Sequence, residues 1–367
     1  MNYRRRRASA AIVAMAGALA APAVLAGSAA RRAAEGTPSA AGARRRPPLS
    51  LIKPRKLDTD AVVGLIAPGG VVDDITLQQC VSNLESLGFT VKLGANIRAA
   101  RGGYAGTVAQ RVDDLHAMFL DREVKAIWAA RGGSGCTALL PHIQYGLIRR
   151  HPKILVGYSD ITALHLALFR HAGIVTFHGP VAWSTLSEYS YDHLLAVLMQ
   201  PQRTFAITMS AENAERAAAE PQFALRTLRP GVAEGRLVGG NLSVLAALVG
   251  TPYAAEFRER LLFLEDIGEA PYRIDRMLTQ LQQSQGLRHA AGAMLGVFQH
   301  RAVIAGEASL TLNEVLDDHF AGLSIPSVYG FSFGHVAHQF TIPVGVRARL
   351  DTEAQTLTLL ESAVLEG

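Results

Sequence analysis

The 367 residues, 49% hydrophobic and 18% charged, are enough for two domains with substantial cores and exclude a disordered or fibrous chain. The formal charge of +5 is concentrated at the start: residues 1–57 hold 12 Lys/Arg and one acid, leaving 24 basic against 30 acidic residues in the remainder. A net negative remainder removes the electrostatic footing for nucleic-acid binding. The two cysteines, Cys80 and Cys136, are too few for a disulfide framework and lack metal-ligand spacing, and no H-E-x-x-H occurs, so neither a metal nor a cofactor is expected.

Arg4 to Arg7, followed by the Ala-rich run 8–26 and small residues near Ala26 and Ala30, have the charged head and apolar body of a secretory signal. Residues 1–30 therefore read as a leader, and the expectation is a periplasmic or otherwise exported protein. The alternative is a cytoplasmic protein with an Ala/Arg-rich extension. The paired arginines do not separate Sec from Tat export, because the bulky apolar residues usual after a twin-arginine pair are absent. Residues 31–57, rich in Ala, Gly, Arg and Pro, read as a disordered linker. No other run is long and apolar enough to span a membrane.

From Ala61 a cycle of strand, glycine turn and helix repeats. A buried-strand run at 62–67 meets Pro68-Gly69-Gly70, and a helix over 75–87 stops at Gly88. A strand at 89–93, a helix at 108–120 and a strand at 124–130 follow, the last running into Arg131-Gly132-Gly133-Ser134-Gly135 and an expected helix over 136–143. The run Lys153 to Gly157 then breaks at Tyr158-Ser159-Asp160 into a helical pattern over 163–170, and a strand at 174–177 ends in His178-Gly179-Pro180. Strands alternating with helices, without hairpin signals, imply a parallel sheet covered on both faces, with ligands bound beyond the strand carboxyl ends. Periodicity fades between 184 and 229. Beyond it come Gly239-Gly240-Asn241 opening a helix, a strand at 261–264 ending in Glu265-Asp266, a helix over 272–285, and short strands at 294–298, 327–331, 340–344, 347–350 and 356–360, all assigned to a strand-rich second half. The organisation expected is thus a nucleophile-bearing domain at 58–195, a connection at 196–229 and a second domain at 230–367.

Ser159, at the end of an apolar strand and the start of a helix, has two readings. Ser and Asp are good helix N-caps; equally, a tight turn lifts a hydroxyl above the sheet beside an amide and a positive helix end. The Gly-x-Ser-x-Gly elbow wants glycine where Ile161 stands. A serine nucleophile also needs a base and a group to orient it. Of 12 histidines, His178 and His335 lie at strand ends, with His338 a weaker candidate and His116 and His165 on helices. For the acid, Glu265 is well placed, while Asp266, Glu269 and Asp275 compete, their bland role being to cap the helix over 272–285 with Arg273 and Arg276 as ion-pair partners. The glycine loop is open to two uses as well. Gly133 and Gly135 with Ala138 fit the dinucleotide pattern G-x-G-x-x-A, with Asp160 as a ribose-binding acid, although the loop follows the third strand rather than the first. Alternatively, its amides form an oxyanion hole, in which one donor is worth roughly 3 kcal/mol.

The ordered set Ile66-Ala67-Pro68-Gly69, Arg131 to Gly135, Gly157-Tyr158-Ser159-Asp160-Ile161-Thr162, Thr176 to Pro180, Gly239 to Leu242, Gly250-Thr251-Pro252, Leu264-Glu265-Asp266 and Phe333-Gly334-His335 resembles the LD-carboxypeptidases, serine peptidases that include muramoyltetrapeptide carboxypeptidase and the microcin-immunity peptidases. The resemblance runs from about Ala61 to Leu350. It implies a flavodoxin-like parallel sheet followed by a smaller strand-rich α/β domain, with Ser159 as nucleophile, His335 as base, Glu265 orienting it, and the amides of Gly133 and Asp160 as the oxyanion hole. It also implies a peptidoglycan-derived muropeptide substrate, release of terminal D-Ala across an L,D bond, and a homodimer, without a membrane role beyond the export signal. The alternatives are an amidase acting on a peptide-nucleotide antibiotic, a nucleotide-binding oxidoreductase built on Gly133 and Gly135, and a non-catalytic muropeptide sensor. Two features depart from the family pattern: Ser134 replaces the aromatic common after the paired glycines, and an export-like leader precedes a fold whose best-known members are cytoplasmic.

Overall fold

The computed structural model describes residues 49–300 and 308–366; the expected leader, and the linker as far as residue 48, lie outside the described residues. The rest of that linker is ordered. Ile52 forms a parallel bridge to Ile174, Leu57 is buried with its amide on the Leu198 carbonyl at 2.9 Å, and Lys53 pairs with Glu361 at 2.9 Å. A composition poor in large apolar residues hid this, because a few anchors, Ile52, Pro54 and Leu57, suffice when they dock on a core formed elsewhere.

Strands β1 (Val62–Ile66), β2 (Thr90–Leu93), β3 (Val124–Ala129), β4 (Ile154–Gly157) and β5 (Thr176–His178) are all parallel and stand in the order 2-1-3-4-5 from one edge, the flavodoxin-like arrangement. The central strands are buried on both faces, as their unbroken apolar runs require. Helices α1 (Asp74–Ser86), α2 (Val108–Leu120), α3 (Tyr145–Arg150) and α4 (Thr162–His171) make the crossovers. Asp73 starts α1 by accepting from the Thr76 amide at 2.7 Å, and Thr107 with Gln110 forms a capping box on α2. The helix expected over 136–143 is instead a 3-10 helix, Cys136–His142, since Pro141 within it has no amide to donate.

The second sheet has eight strands. Helix α5 (Glu188–Leu198) leads to β6 (Phe205–Ile207), α6 (Ala211–Arg216), β7 (Arg226–Arg229), β8 (Val232–Asn241), α7 (Leu242–Ala247), β9 (Arg260–Glu265), α8 (Pro271–Ser284), β10 (Gly292–Val297), α9 (Leu312–Leu316) and β11 (Ser327–Gly334). After β12 (Ile342–Val344) come β13 (Arg347–Asp351) and β14 (Thr356–Leu359). The order is β6-β14-β13-β8-β9-β10-β11-β7, with β8 to β11 parallel and the flanking strands antiparallel. Residues 196–229, read as a connection, thus include both edge strands of this sheet.

One strand goes elsewhere than expected. The run at 340–344, assigned by sequence to the second half, yields β12, which pairs antiparallel with β5 of the first sheet, Ile342 opposite His178 and Val344 opposite Thr176. It covers an edge that would otherwise be open, and Pro343, lacking a donor, suits an edge strand.

The two sheets meet where α4 begins. The Asn241 amide donates to Thr162 Oγ1 at 3.0 Å, and a Cβ on Gly240, whose φ is +133°, would lie 2.4 Å from that oxygen. Thr162 is fully buried and β-branched, so it has little room to yield. Gly240→Ala should therefore cost about 2–3 kcal/mol of unfolding free energy in urea titration. A loss below about 0.5 kcal/mol, the range of ordinary surface substitutions, would show that the junction gives way.

Candidate active site

Strand β4 ends at Gly157, Tyr158 stays extended, and Ser159 takes φ 63°, the left-handed region that costs a residue with a side chain roughly 1–2 kcal/mol. A short 3-10 turn, Ser159–Ile161, then feeds α4, which has no side-chain N-cap. The capping role open to Ser159 and Asp160 is therefore not realised on their own helix. The buried Asp160 carboxylate instead accepts from the Cys136 amide at 2.9 Å, across the crevice on the glycine loop.

That loop is held from several sides. Gly132 packs on the serine turn so closely that a Cβ there would lie 3.0 Å from Ser159 Oγ and 3.5 Å from the Asp160 nitrogen. Its carbonyl accepts from Gly70 at 2.9 Å, and Gly133, at φ 117°, sits where a Cβ would meet the Gly70 nitrogen at 2.7 Å. The buried Arg111 donates to the carbonyls of Pro68 at 2.8 Å and Gly135 at 3.2 Å. The two amides expected to stabilise an oxyanion, those of Gly133 and Asp160, thus belong to turns in van der Waals contact. The dinucleotide reading meets a different geometry: Asp160 is spent on Cys136, and the loop opens a 3-10 turn rather than a long helix.

From the second sheet, β9 ends at Glu265 and β11 at Gly334, immediately before His335. His335 Nδ1 lies 2.7 Å from Glu265 Oε2, and Glu265 is fully buried. Gly334 makes the approach feasible: at φ 108°, a Cβ there would stand 3.0 Å from Glu265 Cβ. A carboxylate accepting from Nδ1–H leaves Nε2 as the basic nitrogen of the neutral ring. Burial pulls the imidazole down, but the Glu265 charge, its hydrogen bond and the more distant Asp266 outweigh this and hold His335 above the ordinary histidine value. The ring of Tyr158, next in chain to Ser159, packs edge-on to His335 at 4.8 Å between centroids. Among the described residues no hydrogen bond joins Ser159 Oγ to His335.

All but one of the competing groups are occupied elsewhere. Asp266 accepts from the Ser243 amide and hydroxyl, both at 2.8 Å, and from the Ile267 amide at 2.7 Å. Burial, with the Glu265 charge beside it, raises its carboxyl to about 6 despite those bonds. Glu269 pairs with Arg273 at 3.6 Å and Asp275 with His319 at 2.8 Å. His165 Nε2 bonds the Gly157 carbonyl at 2.8 Å, His116 accepts from the Gln144 amide at 3.0 Å, and His338 lies 3.9 Å from Glu212. His178 is fully buried and, among the described residues, neither of its nitrogens has a hydrogen-bond partner; burial, with His165 and His335 nearby, pushes it well below the ordinary value. Cys80 and Cys136 are free, buried thiols; burial raises Cys80 to about 11, and burial with the Asp160 charge raises Cys136 well above the ordinary thiol value. Sequence reasoning missed the Asp160–Cys136 bond, the Arg111 clamp and the Tyr158 contact. Asp160 beside a glycine loop was the only signal available for the first.

Residues 63–179 match the LD-carboxypeptidase N-terminal domain and residues 234–350 the LD-carboxypeptidase C-terminal domain, and the chain belongs to the LD-carboxypeptidase family of peptidases. Among its relatives, the "Probable murein peptide carboxypeptidase" of Bacillus subtilis is 40% identical over 315 residues, spanning 86% of this chain and 96% of that protein. The crystal structure of muramoyltetrapeptide carboxypeptidase from Oxalobacter formigenes superposes with a TM-score of 0.70 at 32% identity, covering 82% of this chain and 98% of the other. The microcin C7 self-immunity protein MccF of Escherichia coli is 25% identical over 325 residues, 83% of this chain and 93% of its own length.

Proposed function

We propose that the protein is a serine carboxypeptidase that releases the terminal D-Ala of peptidoglycan tetrapeptides by cleaving the L,D bond, in murein turnover or recycling. The observation that carries this reading is the buried Glu265–His335 pair, 2.7 Å apart, brought beside the strained turn of Ser159 by Tyr158. Nε2 of His335 takes the Ser159 hydroxyl proton as Oγ bonds to the scissile carbonyl carbon, and Glu265 stabilises the resulting imidazolium. The amides of Gly133 and Asp160 receive the oxyanion. Collapse breaks the C–N bond, the departing D-Ala amine takes the proton from His335, and an acyl-enzyme remains. A water deprotonated by His335 then attacks the ester carbonyl, the C–Oγ bond breaks, His335 returns the proton to Ser159 Oγ, and the tripeptide leaves.

Incubation with a disaccharide tetrapeptide should yield, by mass spectrometry, a product lighter by one alanine residue, together with free alanine. An intact substrate after exhaustive digestion would overturn the reading. The relationship to MccF supports a second one, an amidase acting on a peptide-nucleotide antibiotic with the same three side chains. Cleavage of such a conjugate, with the tetrapeptide left whole, would select it.

A further inference from the structure

We propose that Arg131 is the receptor for the substrate's terminal carboxylate, and hence the residue that makes this site act at a chain end. The proposal rests on the carboxypeptidase reading above. A peptide cut one residue from its end carries its carboxylate only three bonds beyond the scissile carbon, a span of about 4 Å. The receptor must therefore hang from backbone adjoining the nucleophile. Arg131 does so: it immediately precedes Gly132, the residue packed on Ser159 Oγ.

The guanidinium is held in place yet keeps donors to spare. It reaches the Val71 carbonyl by one long bond of 3.4 Å, and lies 5.7 Å from the ring centroid of Trp183, a half-exposed indole whose amide is fixed to the Ala130 carbonyl at 3.1 Å. An aromatic face on one side orients the fork and leaves its edge for a carboxylate, the planar partner that guanidinium binds through two parallel bonds. Gly70 adjoins the same group, since a Cβ there would stand 3.3 Å from Arg131 Nε.

Among the described residues no carboxylate lies within ion-pair distance of Arg131, unlike Arg98, Arg216 and Arg226. Asp73, an acid that feels its charge, is engaged as the cap of α1. Two other arginines are committed, Arg111 to two carbonyls and Arg273 to Glu269. A substrate carboxylate approaching Ser159 also meets the charge of Glu265 behind His335, which a cation on the glycine loop would offset.

The test compares D-Ala release from the tetrapeptide with release of D-Ala amide from the same peptide ending in a carboxamide. The wild type should favour the acid by about a hundredfold in kcat/KM, the scale of a desolvated charge pair losing one partner. Arg131→Gln should lose about that factor on the acid, mostly in KM, lose far less on the amide, and bring the ratio near one. Arg131→Lys, which keeps the charge without the fork, should fall between, and it answers the question if the glutamine variant does not fold. An acid-to-amide ratio unchanged in either variant overturns the proposal, whatever the absolute rate. So does a wild type that cleaves both peptides equally. A wild type inert on both removes the carboxypeptidase reading itself, and that outcome is visible before any variant is made.

Discussion

Ser159→Ala is expected to lower D-Ala release by about 10⁴- to 10⁶-fold while leaving a folded protein, because the loss of a nucleophile that works as one unit with its base forfeits the unit's whole contribution. What survives would come from amides and binding contacts alone. The backbone at this position makes a companion variant informative. At φ 63° Ser159 bears steric strain that glycine does not, so Ser159→Gly should be equally inactive and about 1 kcal/mol more stable in urea titration. An alanine variant within tenfold of wild type would sink the proposed nucleophile; a glycine variant less stable than wild type would mean the strain is relieved in some other way.

Glu265→Gln should reduce kcat by about 10³- to 10⁴-fold and also change the shape of the pH profile. In the wild type, burial disfavours the imidazolium, but the Glu265 charge and hydrogen bond overcome it, so His335 titrates above the ordinary histidine value. The base works only when neutral, and activity therefore falls as pH drops through that raised value. With glutamine the main opposing charge is gone, burial prevails, and the acid limb moves to lower pH. Asp266, raised to about 6, titrates close by and its charge acts on His335, so it contributes to the wild-type limb. Asp266→Asn serves as the control: it should move the limb less than Glu265→Gln. An acid limb that stays in place when the Glu265 charge is removed would mean that His335 is not the titrating base.

Much of the first sheet was legible because its information is local. Unbroken apolar runs such as Ile154 to Val156, punctuated by glycine turns and capped helices, declare a buried parallel strand within a few residues. The features that escaped are those whose partners lie far away. Asp160 reads as a helix cap until Cys136, 24 residues earlier, is seen to claim it. The strand at 342–344 has nothing in its sequence to say that it belongs with β5. Glu265 and His335 are 70 residues apart, and no periodicity links them. Their pairing was foreseen only through the ordered motifs of the family, each placed at a strand end. The junction of Asn241 with Thr162 left a fainter trace, two glycines before a polar residue. It joins the two ends of the site, because Asn241 stands opposite Glu265 in the β8–β9 ladder and Thr162 opens the helix that follows Ser159.

The path of the chain around β12 bears on how the site keeps its shape. The polypeptide makes the first sheet, leaves it to build most of the second, returns for three residues beside β5, and leaves again into β13. His335 sits on the return journey, with β11 anchored in one sheet behind it and β12 in the other ahead. The imidazole is therefore not carried on the rim of a lobe that must swing shut over the serine. It rides on a short suspension between two fixed piers, and the sheets cannot separate appreciably without unzipping β12 from β5.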